Sequence, residues 1–368
     1  MIGKEEREAV LRVMDRGILS GYRGSWGDWF YGGEEIKALE KEWAEYFHVK
    51  HVIACNSATS GLWLACAAVG LQGHKLMMLD ELWHGEDYEP DEIIVSPYSM
   101  TCSASIPLHF GAMPVFADIE PCYFCLDPKS IESKITERTK AIIVVDLFGQ
   151  PYDVDAINAI AQKHNVPVIE DAAQACGAKY KGKYAGTLGD IGVYSLNVHK
   201  HIQCGEGGIV VTDNDRLAFN VRLLLNHAEA VMNSMPGDEH TWSSCFDLVG
   251  LNLRMTELSA AISREQLKKL DDILKIYQEY ANWFNILIRP ECTSAYYKYA
   301  PKTKNGKVLL NLSYTPEMAD KIFNFKQHYI TPLYQLPLFK QFGYDQHQCP
   351  ICEEVEKNII LAWFKEIV

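Results

Sequence analysis

The chain has 368 residues, 48% hydrophobic and 23% charged, the composition of a folded globular protein with room for two or three domains. A formal net charge of −13 argues against a nucleic-acid surface, which needs clustered Lys and Arg, but leaves open a small anion held by backbone amides. No apolar run, GLWLACAAVGL at Gly61–Leu71 included, is long enough to span a bilayer. The opening MIGKEEREAVLRVMDRG has the pattern of a charged amphipathic helix rather than a signal peptide, so the expectation is a soluble cytoplasmic protein.

HVIAC (His51–Cys55) reads as a strand and SGLWLACAAVG after it as a helix. The segment between Gly70 and Pro90, acidic and carrying Met and Trp, reads as an inserted loop. Strand patterns follow at EIIVSP, MPVFAD, KAIIVVDLF and VPVIED, with a helix pattern, DVDAINAIAQKHN, between the last two. DIGVYSL and GGIVVTD make two more strands. Continuous Ile/Val runs, rather than strict alternation, predict strands buried on both faces in a mainly parallel sheet covered by helices: an α/β fold. From Arg254 to Phe284 the pattern is one long helix, with Thr256 as its cap and Leu267, Leu270, Leu274 and Tyr277 at helical spacing. Beyond Pro290 the pattern loosens, with a strand at VLLNLSY and a helix at the end. The organisation expected is a large α/β domain over 1–250, then a connecting helix and a smaller C-terminal α+β domain over 251–368.

Eleven cysteines, an odd number, cannot all pair, and in a reducing compartment most serve as small buried apolar residues. Cys122-Tyr-Phe-Cys125 and Cys349-Pro-Ile-Cys352 could in principle share a zinc ion, but the pairs of zinc ribbons lie within about twenty residues of each other. No thioredoxin-like strand leads into the second pair. Packing is the reading adopted, with no metal site.

Three clusters carry chemistry. VIEDAAQACGA (Val168–Ala178) places Asp171 at the end of a strand, where α/β folds bind ligands, although Asp171 could simply cap a following helix. NSATSGL (Asn56–Leu62) places Ser57, Ala58 and Thr59 at a helix start, with free N–H groups and hydroxyls suited to a phosphate or to a plain cap. SLNVHKHIQCGEGG (Ser195–Gly208) holds Lys200 between His199 and His201 in a loop between strands. Together they describe a pyridoxal phosphate site: phosphate on a helix start, an aspartate against the ring nitrogen, and a lysine that forms the Schiff base and then moves a proton. Burial and neighbouring cations would lower the lysine's pKa for that task. The glycines of GEGG let the loop turn back tightly.

These blocks, with PVFADIE, TKAIIVVDLFGQPYDVDAI, VIEDAAQACGAKYKGKYAGTLGDIGVYSLNVHKHIQCGEGGIVVTDN and GLNLRMTELSAAISREQLKKL, resemble in order the DegT/StrS-like sugar aminotransferases, pyridoxal-phosphate enzymes with the fold type I of aspartate aminotransferase. The resemblance runs from about Ile2 to about Tyr334. It implies that Lys200 forms the Schiff base and shuttles the proton, that Asp171 faces the ring nitrogen, and that Gln174, one helical turn on, lies near the phenolic oxygen. Ser195, Ala58 and Thr59 would bind the phosphate, and Asn252 would reach it in the neighbouring subunit of a homodimer with shared active sites. Met100 stands where an aromatic ring usually covers the cofactor, with Tyr98 as an alternative. Ala58 stands where glycine is usual, and Asp146 where histidine is common.

The activity implied is transfer of an amino group from an amino acid, first L-glutamate, to a ketone of a nucleotide-linked deoxysugar for polysaccharide or glycosylated-metabolite synthesis. A cyclitol ketone is a second acceptor. Some relatives are sugar dehydratases with a histidine in place of the lysine; counting back from Glu206 puts Lys200 in the family position. A nicotinamide enzyme would need G-x-G-x-x-G after the first strand, and NSATSG stands there instead. A non-enzymatic regulator is the remaining alternative, since fold alone does not fix function.

Overall fold

The computed structural model describes residues 2–71, 89–228 and 248–282, then 284, 286, 288–298, 303–304, 307–308, 318, 323–327, 330–344 and 348–364. Most of the acidic insert, and residues 309–314 of the strand expected at VLLNLSY, lie outside them.

Seven strands form the main sheet: β1 (His51–Cys55), β2 (Glu92–Val95), β3 (Met113–Phe116), β4 (Thr139–Val145), β5 (Val168–Asp171), β8 (Ile191–Ser195) and β9 (Gly208–Thr212). A short hairpin, β6 (Lys179–Tyr180) and β7 (Lys183–Tyr184), sits apart from it. The order across the sheet is β1-β9-β8-β5-β4-β2-β3. All pairs from β3 to β8 are parallel, and β9 runs antiparallel to both β8 and β1. The sheet is therefore mainly parallel, as the Ile/Val runs implied.

Successive residues of a strand point to opposite faces, and here both faces are buried. Val52, Ala54, Tyr194, Ile209 and Val211 join one core with Ile36, Leu39, Trp43 and Phe47 of α2 (Glu34–Phe47). Ile53, Cys55, Val193 and Val210 join the other with Leu62, Leu64 and Ala65 of α3 (Ala58–Ala68) and with Val221 and Leu224 of α7 (Asp215–Leu225). Further helices are α1 (Lys4–Arg16), the single turn α4 (Cys102–Ser105), α5 (Pro128–Lys134), α6 (Val154–His164), α8 (Glu257–Leu267), α9 (Leu270–Ala281) and α10 (Pro350–Asn358), with a short turn of helix at Pro337–Lys340.

The expected long helix is two helices. Thr256 caps α8 by accepting from Ser259 N, but the chain turns at Lys268–Lys269 before α9. The turn is where α1 docks: buried Glu6 accepts from Gln266 Nε2 at 2.7 Å and from Lys269 Nζ at 2.6 Å. Helical spacing of apolar residues runs straight through this point, so periodicity alone could not reveal the break.

The C-terminal elements close the β3 side of the sheet. Tyr334, Phe339 and Tyr344 pack edge-on around Phe116. Asp118, two residues beyond β3, accepts from the N–H groups of Ile351 and Cys352, both at 2.9 Å, and so caps α10 from across the chain. The Cys-Pro-Ile-Cys motif is this helix start. Cys349 and Cys352 are buried, and burial pushes the Cys349 thiol up to about 12. Cys125 is buried elsewhere and directs its thiol to Gln150 O, while Cys122 is exposed.

The open edge of the sheet at β1 is protected by an ion pair. Glu40 of α2 accepts from Ala54 N at 2.9 Å, and Arg222 of α7 donates to Val52 O at 2.8 Å. The two side chains also pair with each other in a two-pronged contact of 2.8 and 2.5 Å. An edge strand with its polar groups paired offers nothing to a second strand. Glu40→Ala leaves the buried Arg222 uncompensated and is expected to cost about 3 kcal/mol. Urea unfolding measures this as a lower midpoint at unchanged slope.

Candidate active site

The loop 196–207 links two strands that are hydrogen-bonded neighbours, Ser195 facing Gly208 across the pair. Leu196 N donates to Gly207 O, Cys204 N to Leu196 O and Val198 N to Gly205 O, each at 2.9 Å, so the loop is a tight extension of the hairpin. Gly205 takes φ +87 and Asn197 Nδ2 ties to Glu206 Oε1 at 2.9 Å. This framework holds Lys200 at the carboxyl end of the sheet, partly buried.

Asp171 ends β5 and is buried. Its Oδ1 accepts from Ala173 N at 3.2 Å and its Oδ2 from Ser103 Oγ at 3.0 Å. It caps no helix: residues 172–178 form turns, and Gln174 is accordingly not on a helix. Gln174 is buried and accepts through Oε1 from Phe148 N at 2.9 Å.

Ser57 caps α3, its Oγ accepting from Ser60 N at 3.1 Å. Ala58 and Thr59 open the helix, and among the described residues nothing pairs with their N–H groups. Ala58 has an ordinary helical backbone rather than a positive φ, so the methyl group there is unstrained. Ser195 is buried beside this turn, because Gly208, its pairing partner, touches the turn directly: a Cβ on Gly208 would lie 2.4 Å from the Ser57 carbonyl carbon and 2.6 Å from Ala58 N. The last glycine of GEGG is therefore required for close approach.

Burial lowers the pKa of Lys200, and the charge of Asp171 pulls it back up. Burial raises that of Asp171, opposed by the Ala173 N–H, the Ser103 hydroxyl and the Lys200 ammonium. The amine and the carboxylate thus lie within each other's field. His199 is exposed. His201 is buried, bonds through Nε2 to Ala295 O at 2.7 Å, and is turned away from the role of a substitute for the lysine.

Other expected residues fall differently. Met100 is 59% exposed, whereas Tyr98 is fully buried. Asn252 is exposed, its Oδ1 accepting from Arg254 Nε at 2.9 Å, and its segment lies along the turn after β1, with Asn56 N donating to Leu253 O at 2.8 Å. Asp146 is buried and accepts from Tyr152 N at 3.0 Å. Its carboxyl is held well above the usual range by burial and by the neighbouring Glu170. Sequence reasoning missed Ser103, Cys102 and Tyr297, whose ring centroid lies 4.5 Å from Lys200 Nζ. None has a spacing signal that ties it to Asp171 or Lys200.

These residues fit pyridoxal phosphate. The unpaired N–H groups of Ala58 and Thr59 suit its phosphate, Asp171 its ring nitrogen and Lys200 its aldehyde, all at one end of the sheet.

Comparisons agree with this chemistry. A model of the DegT/DnrJ/EryC1/StrS aminotransferase family matches residues 25–363. The chain is 38% identical to the GDP-perosamine synthase of Caulobacter vibrioides, over 76% of this chain and 66% of that enzyme, just under two thirds of its length. It is 32% identical to the spore coat polysaccharide biosynthesis protein SpsC of Bacillus subtilis, over 95% of this chain and 87% of that one. An aminotransferase structure from Psychrobacter cryohalolentis superposes with a TM-score of 0.75 at 27% identity, covering 99% of this chain and 92% of the other.

His201 also yields a test of the loop. Burial depresses its pKa from 6.5 to about 4, so the folded loop holds it neutral while the unfolded chain takes up a proton below about 6.5. Stability is thus lost as pH falls from about 6.5 through 4, by about 3 kcal/mol in all. His201→Gln is expected to flatten that part of the curve of unfolding free energy against pH.

Proposed function

The chain belongs to the DegT/DnrJ/EryC1/StrS aminotransferase family, and from that premise we propose that it passes an amino group from an amino acid, L-glutamate first, to a ketone on a nucleotide-linked deoxysugar. It is a pyridoxal-phosphate-dependent aminotransferase. The observation that carries the assignment of residues is the convergence of Lys200, Asp171 and the open N–H groups of α3 at one end of the sheet.

When bound, the cofactor supplies an electron sink that lets an amino-bearing carbon lose its proton. Lys200 is the amine that attaches it at rest. Released, Lys200 Nζ takes a proton from one carbon and returns it to another, a task suited to an amine that burial pushes towards neutrality and Asp171 towards the charged form. Asp171 keeps a proton on the ring nitrogen, and Ser103 holds the carboxylate in place. Ser195, Ala58 and Thr59 would hold the phosphate, Gln174 the phenolic side and Met100 the open face. Two successive amino transfers at one lysine imply ping-pong kinetics.

A homodimer with shared sites, in which Asn252 completes the partner's phosphate site, is part of the same proposal. Val198, Val249 and Leu251 support it: they are 52%, 61% and 44% exposed and flank Lys200 and Asn252 in sequence. A large domain over 1–250 and a smaller unit over 251–368 belong to the same proposal. A cytoplasmic location suits the substrate; among the described residues no helix is long and apolar enough to cross a membrane.

The first test is the visible spectrum of the purified protein with pyridoxal phosphate, before and after L-glutamate. A yellow band that bleaches supports the cofactor, the donor and the first half of the reaction. A band that glutamate leaves unchanged removes glutamate as donor. Lys200→Ala is expected to abolish transfer, and turnover at the wild-type rate by that variant refutes the assignment. Asp171→Asn should slow proton abstraction by about a hundredfold or more, the scale of losing one well-placed electrostatic group; single-turnover kinetics measures it.

A further inference from the structure

Lys200 has a neighbour that the reaction outlined above does not use. Its Nζ lies 4.5 Å from the centroid of the Tyr297 ring, within the range of a cation–π contact. Tyr297 comes from the C-terminal part of the chain, and its position is fixed from several sides. Ala295 N and Ser294 Oγ both donate to Gly149 O, at 2.8 and 3.0 Å, and Tyr296 N donates to Ser294 Oγ at 2.9 Å. Gly149 has φ +92, and a Cβ there would meet Tyr296 N at 2.8 Å and Tyr297 N at 2.9 Å, so the 294–297 segment lies directly on the backbone of Gly149. The same segment accepts the His201 bond through Ala295 O, and the His201 ring lies 4.8 Å from that of Tyr277 and 5.8 Å from that of Tyr297. Residues 294–297 therefore hold both the ring and the loop that carries the lysine.

We propose that Tyr297 is a positioning residue for Lys200: its ring face is the seat of the ammonium whenever the freed amine carries its proton. The face of the ring favours the charged form, as Asp171 does from the end of β5, while burial disfavours it. Among the described residues Lys298 lies 5.8 Å from the same ring as a further like charge; His201, neutral near pH 7, adds none. The ring has two consequences. It holds the detached amine on the C-terminal side of the site instead of letting it swing into water, and it keeps a proton on Nζ that is later returned to carbon.

This inference rests on Lys200 being the cofactor-bearing amine, and the two can fail separately. Borohydride reduction of the wild-type protein loaded with pyridoxal phosphate, followed by peptide mass analysis, tests the assignment: a label on any other lysine removes it. The inference itself is tested on the full-length protein without cofactor. Trace acetic anhydride acetylates only neutral amines, so the labelling of Lys200 across about pH 6 to 10 gives the midpoint of its titration. Tyr297→Leu, which keeps bulk and dryness but loses the ring, is expected to lower that midpoint by about half to one unit, or roughly three- to tenfold more reactive amine at a fixed pH. Tyr297→Phe keeps the face and is expected to retain the wild-type midpoint. An unchanged or raised midpoint in Tyr297→Leu overturns the proposal. A drop in Tyr297→Phe equal to that in Tyr297→Leu overturns it too, because the hydroxyl would then be the active group. Should the leucine variant fail to fold by circular dichroism, Tyr297→Met carries the same expectation and the same refutation.

Discussion

A carboxylate removed from water must be held by N–H groups, and Glu170 is held by three. Gly186 N, Leu188 N and Gly189 N donate to it at 2.6, 2.8 and 3.1 Å, drawing the 186–189 turn under the end of β5. Burial still pushes its pKa up, against the pull of those donors. The turn in turn leads into β8: Tyr194 reaches Ala185 O with its hydroxyl at 2.5 Å, and Asp190 accepts from Val168 N at 2.8 Å. β8 is thus locked beside β5, with Asp171 at the carboxyl end of β5 and the lysine loop at the same end of β8. The catalytic groups are placed by a neighbour of theirs that does no chemistry.

The same logic explains which parts of the site can be charged. Three carboxyl groups, Asp146, Glu170 and Asp171, are buried together at the ends of β4 and β5. Asp171 alone among them feels the Lys200 ammonium and accepts a serine hydroxyl. Glu170 has the backbone donors, and Asp146 is pressed towards its neutral form by both burial and Glu170. That negative charge is favoured on Asp171 over Asp146 follows from partners rather than from residue type, since two of the three are aspartates.

The parts of this arrangement that could be read from the sequence are those encoded locally. The strands announce themselves because burial on both faces demands runs such as IIVV and IVV, and Ser57 and Thr256 because a helix start needs a side-chain acceptor. Lys200 was readable from the pattern of its loop, although the last glycine there answers to Ser57 and Ala58, far earlier in the chain. Ser103 and Tyr297 were not, since the residues they touch lie 68 and 97 positions away and no periodicity carries that information. The break between α8 and α9 was hidden for a similar reason: the residue that bonds to it, Glu6, lies at the far end of the chain. The turn at 172–178 was hidden because small residues after a strand serve a helix start or a tight turn equally well.

The antiparallel insertion of β9 between β8 and β1 also bears on how the chain acquires its structure. The lysine loop joins two strands adjacent both in sequence and in space, so this corner of the sheet closes with little loss of chain entropy. β1 and the phosphate turn behind it can dock only when a segment from far earlier in the chain returns to β9, a contact of long sequence separation and correspondingly slow to form. The lysine therefore has its local frame before the pocket around it is complete.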